Sequence, residues 1–290
     1  MEIKAFFDRV TATVTYVVWD PDTKDAVIID PVLGYDPIGS KTGHEQVDAV
    51  IGFAHVRSLK VHYALETHAH ADHLSGAQKL KAQLGAHVAI GEEVCGVQET
   101  FKELLDLPAD FPTDGRQFDR LLSDGDVLEA GSLRVAVLHT PGHTPACLTY
   151  QIEDALFTGD ALFMDDYGTG RCDFPAGSAA ELYESISRLY ELPDETRVFV
   201  GHDYGPGGRA PKWETTIGRE KAYNPHLNAQ TTKERFIELR EARDETLKAP
   251  RLIFQSIQVN IDGGRLPEKA SNGRRYFKLP INLFGGPPED

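Results

Sequence analysis

Three histidines and an aspartate fall within six residues in the stretch Glu66-Thr67-His68-Ala69-His70-Ala71-Asp72-His73. A strand-like apolar run, Val61-His62-Tyr63-Ala64-Leu65, precedes the stretch, and a helix-like run from Leu74 to Leu84-Gly85 follows it. The cluster therefore belongs on a strand-to-helix loop, where side chains can converge on one point. Neutral imidazole and carboxylate are ligands for zinc, iron and manganese. A solvated His-rich loop is the bland alternative, but short polar loops seldom concentrate metal ligands so densely.

Three other places offer partners for this loop. Leu133 to Leu138 alternates as a strand and leads into His139-Thr140-Pro141-Gly142-His143-Thr144-Pro145, with His143 at the tip of a tight loop. Ala155-Leu156-Phe157-Thr158-Gly159-Asp160 is an apolar strand that ends in Gly-Asp. A carboxylate there is costly to bury unless it is paired or bound to a metal. Val198-Phe199-Val200-Gly201-His202-Asp203-Tyr204 repeats the order of strand, glycine and ligand. One loop histidine alone would be weak support; the recurrence is not. The candidate ligands are His68, His70, Asp72, His73, His143, Asp160 and His202. A full set would hold two metals bridged by Asp160, and a subset would hold one.

The pattern around them is mixed. Residues 3–30 read as strands, with Thr11–Trp19 and Ala26–Ile29 paired as a hairpin. Residues 31–43 read as a loop and 44–60 as a helix with Val47, Val50, Ile51 and Ala54 in phase. A helix over 74–84, a strand over 87–90, a helix over 92–107 and an irregular stretch over 108–125 follow. Strands are expected at 126–130, 133–139, 147–152, 155–159 and 197–200, and helices at 178–191 and 231–247. Residues 252–261 read as extended. Two β-rich-then-βαβ halves predict two sheets packed face to face with helices outside, a four-layer αββα sandwich of the α/β (α+β) class. Ligand candidates lie on both sides of any midpoint boundary, so residues 1–290 read as a single domain, with 209–290 as a C-terminal cap or an integral part of it.

Charge narrows the partners. The 290 residues carry a net charge of −15, which argues against nucleic acid and anionic membrane surfaces. Cys95, Cys147 and Cys172 are far apart and form no CxxC motif, which suits a reducing compartment. No 18-residue apolar segment occurs and the first residues resemble no targeting peptide, so a cytoplasmic location is expected. Leu279, Ile281 and Phe284 in the tail fit either a homodimer interface or a packed end.

In this order, THAHADH, TPGH, TGD and GHD resemble the metallo-β-lactamase superfamily. That family has the αββα fold, with its metal site at one edge between the sheets. Finer features resemble the persulfide dioxygenases of the bacterial type II group. These are Asp160-Ala161-Leu162-Phe163, then Tyr167-Gly168-Thr169-Gly170-Arg171-Cys172-Asp173-Phe174, the His202-Asp203-Tyr204 triplet, the run Thr215 to Lys221, Asn224-Pro225, and the tail segments Arg251-Leu252-Ile253, Gln258-Val259-Asn260 and Gly264-Arg265-Leu266-Pro267. The resemblance implies one Fe(II) per chain held by His68, His143 and Asp160, with His70, Asp72, His73 and His202 around it. The implied substrates are glutathione persulfide and O2, and the implied products sulfite and glutathione. Arg171, Arg219 and Lys221 are the candidate cations for the substrate carboxylates, and Tyr204 is a candidate hydrogen-bond donor. Family members carry an arginine near Lys221 and a threonine where Cys172 stands; a small packing role is expected for this thiol. The alternatives are a binuclear zinc or iron hydrolase of glutathione thioesters, and an inert thiol-binding sensor or scaffold.

Overall fold

The computed structural model describes residues 1–283; Phe284 therefore lies outside the described residues. The first half runs through β1 (Glu2–Phe7), β2 (Val14–Trp19), β3 (Asp25–Ile29), β4 (Val32–Asp36), β5 (Lys41–Gly43), α1 (Glu45–Val56), β6 (Lys60–Leu65), β7 (Leu74–Ser75), α2 (Ala77–Leu84), β8 (His87–Gly91), α3 (Val94–Leu104) and β9 (Arg120–Leu122). The second continues with β10 (Val127–Ala130), β11 (Leu133–His139), β12 (Leu148–Ile152), β13 (Ala155–Phe157), α4 (Ala179–Leu189), β14 (Arg197–Phe199), β15 (Glu214–Thr216), α5 (Ile217–Tyr223), α6 (Lys233–Asp244) and α7 (Ile253–Asn260).

Two six-stranded sheets result, in the orders β1-β2-β3-β6-β8-β9 and β10-β11-β12-β13-β14-β15. The expected hairpin is β2 against β3, antiparallel, with Tyr16 opposite Ile29. From β3 onward the first sheet is parallel, as is the β13–β14 pair in the second. Strands buried on both faces require near-continuous apolar runs, and β2, β3 and β13 are buried along their whole length.

Three apolar cores separate four layers. Tyr16, Ile29, Leu65, Val135, Tyr150 and Phe157 fill the space between the sheets. Val50, Leu80, Val97 and Ile257 bring α1, α2, α3 and α7 onto the first sheet. Leu182, Ile186, Ile217 and Phe236 bring α4, α5 and α6 onto the second. Each such side chain contributes about 1.5–3 kcal/mol when buried. The αββα expectation is met.

Several local expectations are corrected. Residues 31–43 are not a plain loop: β4, β5 and β7 form a small third sheet. Leu74 and Ser75 belong to it, so the helix starts at Ala77. The stretch 108–125 contains β9, which completes the first sheet. Residues 252–261 are helical, not extended. Their β-branched content suggests a strand, but Ile253, Ile257 and Ile261 are spaced by four and all are buried, so the helical period decides. Thr216 accepts a bond from the Arg219 amide and starts α5, a helix absent from the expectation. The segment 209–290 is woven into the sandwich through its described part: β15 closes the second sheet, and α7 lies in the helical layer of the first. Leu279 and Ile281 are exposed rather than packed.

Candidate metal centre

The ligand candidates gather because strand ends meet. Asp30 and Glu66 follow the ends of β3 and β6, which are parallel neighbours; Asp160 and His202 follow β13 and β14, also parallel. A crevice beyond the carboxyl ends of parallel strands is the usual place for a site in such sheets. An isolated bridge between Thr13 and His202 joins the two sheets at this edge. Buried hydroxyls lock the carbonyls nearby: Tyr150 donates to Glu66 O at 2.7 Å and Tyr16 to Val200 O at 2.6 Å.

Each imidazole is oriented by one nitrogen and presents the other. His143 Nδ1 lies 2.6 Å from Arg171 O, and His73 Nδ1 lies 3.1 Å from Leu74 O. A carbonyl only accepts, so both Nδ1 atoms carry the proton and both Nε2 atoms offer a lone pair. His70 is reversed, because its Nε2 faces Asp30 at 3.0 Å and its Nδ1 is left free. Thr67 Oγ1 donates to Asp30 at 2.8 Å and so accepts from His68 Nδ1 at 3.0 Å. Thr13 Oγ1 donates to Asp72 at 3.3 Å and accepts from His202 Nδ1 at 3.4 Å. The remaining atoms, His68 Nε2, His70 Nδ1, His73 Nε2 and His202 Nε2, are buried and have no hydrogen-bond partner; neither does Asp160 Oδ1. Five orphaned buried donor atoms of metal-ligand type fit a bound cation.

They form two adjoining groups. His68, His143 and Asp160 offer ligand atoms within 4.8 Å of one another, and so do His70, Asp72 and His73. Asp160 of the first group has Oδ2 3.7 Å from His143 Nε2 and Oδ1 3.4 Å from His202 Nε2, and His202 Nε2 in turn lies 3.5 Å from Asp72 of the second group. Burial and the neighbouring imidazoles hold His68 well below the usual histidine pKa, and burial with His70 brings His73 down to about 4. Burial opposes charge on Asp72 too, yet His202, His73 and His70 outweigh it and bring its carboxyl down to about 2. His68 and His73 are thus held neutral, as a metal requires; on His70 burial also opposes charge, but Asp30 and Glu66 outweigh it and raise its pKa well above the usual histidine value, so a cation at its Nδ1 would have to displace a proton.

Asp30, Thr67, Asn260 and the α6 pair Arg240–Asp244 were not anticipated as site residues. Asp30 adopts φ +49° and accepts from Thr67 N at 2.7 Å as well as from Thr67 Oγ1 and His70. Such a backbone is strained for a residue other than glycine, asparagine or aspartate. Asn260 of α7 donates to His70 O at 2.7 Å and His73 O at 2.8 Å and accepts from Ser75 N at 2.8 Å, so it shapes the whole loop. The 169–172 segment, whose Arg171 carbonyl orients His143, is held at both ends. Arg240 Nη1 donates to Thr169 O at 3.2 Å, and Asp244 accepts from Cys172 N at 2.8 Å. The only hint of Asp30 in the sequence is the Asp-Pro that ends an apolar strand. Asp30→Asn would set an amide hydrogen against donors that need an acceptor, and metal affinity is expected to fall about 10–100-fold, as measured by titrating metal into chelated protein.

The substrate-side candidates divide. Arg171 and Tyr204 line a cavity of about 340 Å3 with Asp72, His143 and Asp160, and the Tyr204 ring stacks on His202 at 5.6 Å. Arg219 instead pairs with Asp165 at 2.5 Å, and Lys221 with Asp194 at 2.7 Å. Neither lines that cavity or the two beside it. The Cys172 thiol is buried and burial pushes its pKa up, which fits the packing role.

A paired-sheet αββα sandwich with a buried His/Asp cluster at one sheet edge defines a metal-binding enzyme scaffold. The chain belongs to the metallo-beta-lactamase superfamily, whose model matches residues 8–202. It is 51% identical to a "Beta-lactamase hydrolase-like protein" of Agrobacterium fabrum over 98% of this chain, but spans only 65% of that relative's length. It is 32% identical to the human mitochondrial "Persulfide dioxygenase ETHE1", over 78% of this chain and 75% of that protein. The solved structure of ETHE1 from Myxococcus xanthus is 33% identical, with a TM-score of 0.74, covering 91% of this chain and 100% of that one. Among the described residues no helix is long and apolar enough to cross a membrane.

Proposed function

We propose that this chain is an iron-dependent dioxygenase that converts glutathione persulfide, O2 and water to glutathione, sulfite and two protons. The observation that carries the reading is the group His68, His143 and Asp160, two imidazoles and one carboxylate converging on one point. The relatives named persulfide dioxygenase support it. Iron(II), if held by these three side chains, would mediate the four-electron oxidation of the persulfide by O2.

The chain's own residues do the rest. Thr67 and the Arg171 carbonyl fix the His68 and His143 tautomers, so both rings enter the site with a lone pair and no competing proton. Asp160 provides the anionic donor, and its burial keeps bulk water away. Tyr204, at the cavity mouth, offers a hydroxyl to a substrate entering beside Asp160. His70, Asp72, His73 and His202 hold waters and the proton inventory next to the reacting sulfur.

One observation favours a second reading, a two-metal thioester hydrolase. His202 lies between Asp160 of one group and Asp72 of the other, and His70 Nδ1 and His73 Nε2 of the second group have no hydrogen-bond partner. Metal analysis of protein purified without chelator separates the two. The proposal expects about one iron per chain; two zincs per chain would favour the hydrolase.

A further inference from the structure

A substrate with two carboxylates needs cations that the fold has not already neutralised. Among those near the centre, Arg171 is committed to Asp173 at 2.5 Å and to Lys248 O at 2.8 Å. Arg240 is committed to Asp244 at 2.7 Å, and Arg209 to Asp203 and Asp166. Of the four guanidinium groups that line the cavities at the centre, Arg171 and Arg240 are the committed ones; Arg243 and Arg251 are exposed and form no side-chain hydrogen bond or ion pair among the described residues.

Both face the site. Arg251 lines the cavity of about 340 Å3 that contains His143, Asp160 and Tyr204. Arg243 lines an adjoining one of about 210 Å3, also walled by Asp160 and Tyr204. A third, of about 280 Å3, shares His143 and Arg171 and is bordered by Glu245. Its two other carboxylates, Asp173 and Asp244, are paired with Arg171 and Arg240, whereas Glu245 has no side-chain partner among the described residues. Apart from Asp72 and Asp160, which belong to the candidate metal centre, the uncommitted charges lining these cavities are therefore two cations and one anion. That is the inverse of a tripeptide thiol with two carboxylates and one ammonium.

We propose that Arg243 and Arg251 select the carboxylates of the thiol carrier and that Glu245 takes its ammonium group. This places carrier recognition in the 243–251 segment, beyond the 8–202 region matched by the family model, and not on Arg219 or Lys221. The inference deepens the proposed function and rests on it for the identity of the carrier. Single exposed ion pairs are weak, but a carboxylate held by a guanidinium in a walled cavity makes a charge-assisted bond.

The test uses the full chain and two readouts. In calorimetric titration with glutathione itself, Arg243→Ala and Arg251→Ala each weaken binding about tenfold, and the double variant about 100-fold. In turnover, KM for glutathione persulfide rises by the same factors, so selectivity over an uncharged alkyl persulfide collapses. Unchanged glutathione affinity in the double variant overturns the inference, as does an equal KM rise for charged and uncharged substrates. Calorimetry needs no turnover, so an absence of oxygen uptake by the unmodified protein would count against the dioxygenase reading while the carrier site is still decided by binding.

Discussion

Asp160→Ala is expected to lower turnover by about 10³-fold or more and to strip the protein of most of its metal. Asp160 is the only carboxylate in the group with His68 and His143, and its loss removes the anionic donor while leaving the imidazole nitrogens buried and unpaired. A metal contributes several kcal/mol of charge stabilisation, and each 1.36 kcal/mol is tenfold in rate. The check is metal content alongside kcat on the same preparation. Full metal retention would mean that the remaining donors form the centre by themselves. His143→Ala is expected to behave in the same way, because the Arg171 carbonyl occupies its Nδ1 and leaves its Nε2 as the candidate ligand atom facing the site.

Gly170→Ala is expected to be the most damaging change of a single methyl group. A Cβ at this position would lie 2.0 Å from Asp160 O and 3.5 Å from Asp160 Cβ. The loop cannot retreat easily, because Arg240 holds the residue before it and Asp244 the Cys172 amide after it. The clash therefore pushes on the backbone that carries a metal ligand. Overpacking of this kind costs on the order of 3 kcal/mol, or roughly 6–12 °C in melting temperature for a chain of this size. Thermal melts of the metal-free variant isolate this cost from metal binding. An unchanged melting point would show that the 169–172 loop is softer than its hydrogen bonds imply.

The candidate ligands that the fold brings together were legible in the sequence for a physical reason. His68, His70, Asp72 and His73 are adjacent, and Asp160 and His202 each follow an apolar strand and a glycine, so local pattern alone marks them. The residues that orient them were not, because their partners are remote. Asn260 holds His70 across 190 positions, and Asp244 holds Cys172 across 72. No periodicity reports such a pairing, and the helix that carries Asn260 was itself hidden by a β-branched run. The cations show the same limit. Arg219 and Lys221 have the right charge for a carboxylate, but Asp165 and Asp194 neutralise them, and only the folded chain reveals which guanidinium groups stay free. The sandwich was readable because its layers follow from alternating apolar runs; the small β4-β5-β7 sheet was not, because strands of two to five residues carry too little pattern.

Oxygen uptake on adding glutathione persulfide to the iron-loaded protein separates the oxygenase from the hydrolase. One O2 is expected to be consumed for each sulfite formed, with the rate lost in Asp160→Ala. Hydrolysis of a glutathione thioester with no oxygen uptake from the persulfide would contradict the dioxygenase reading.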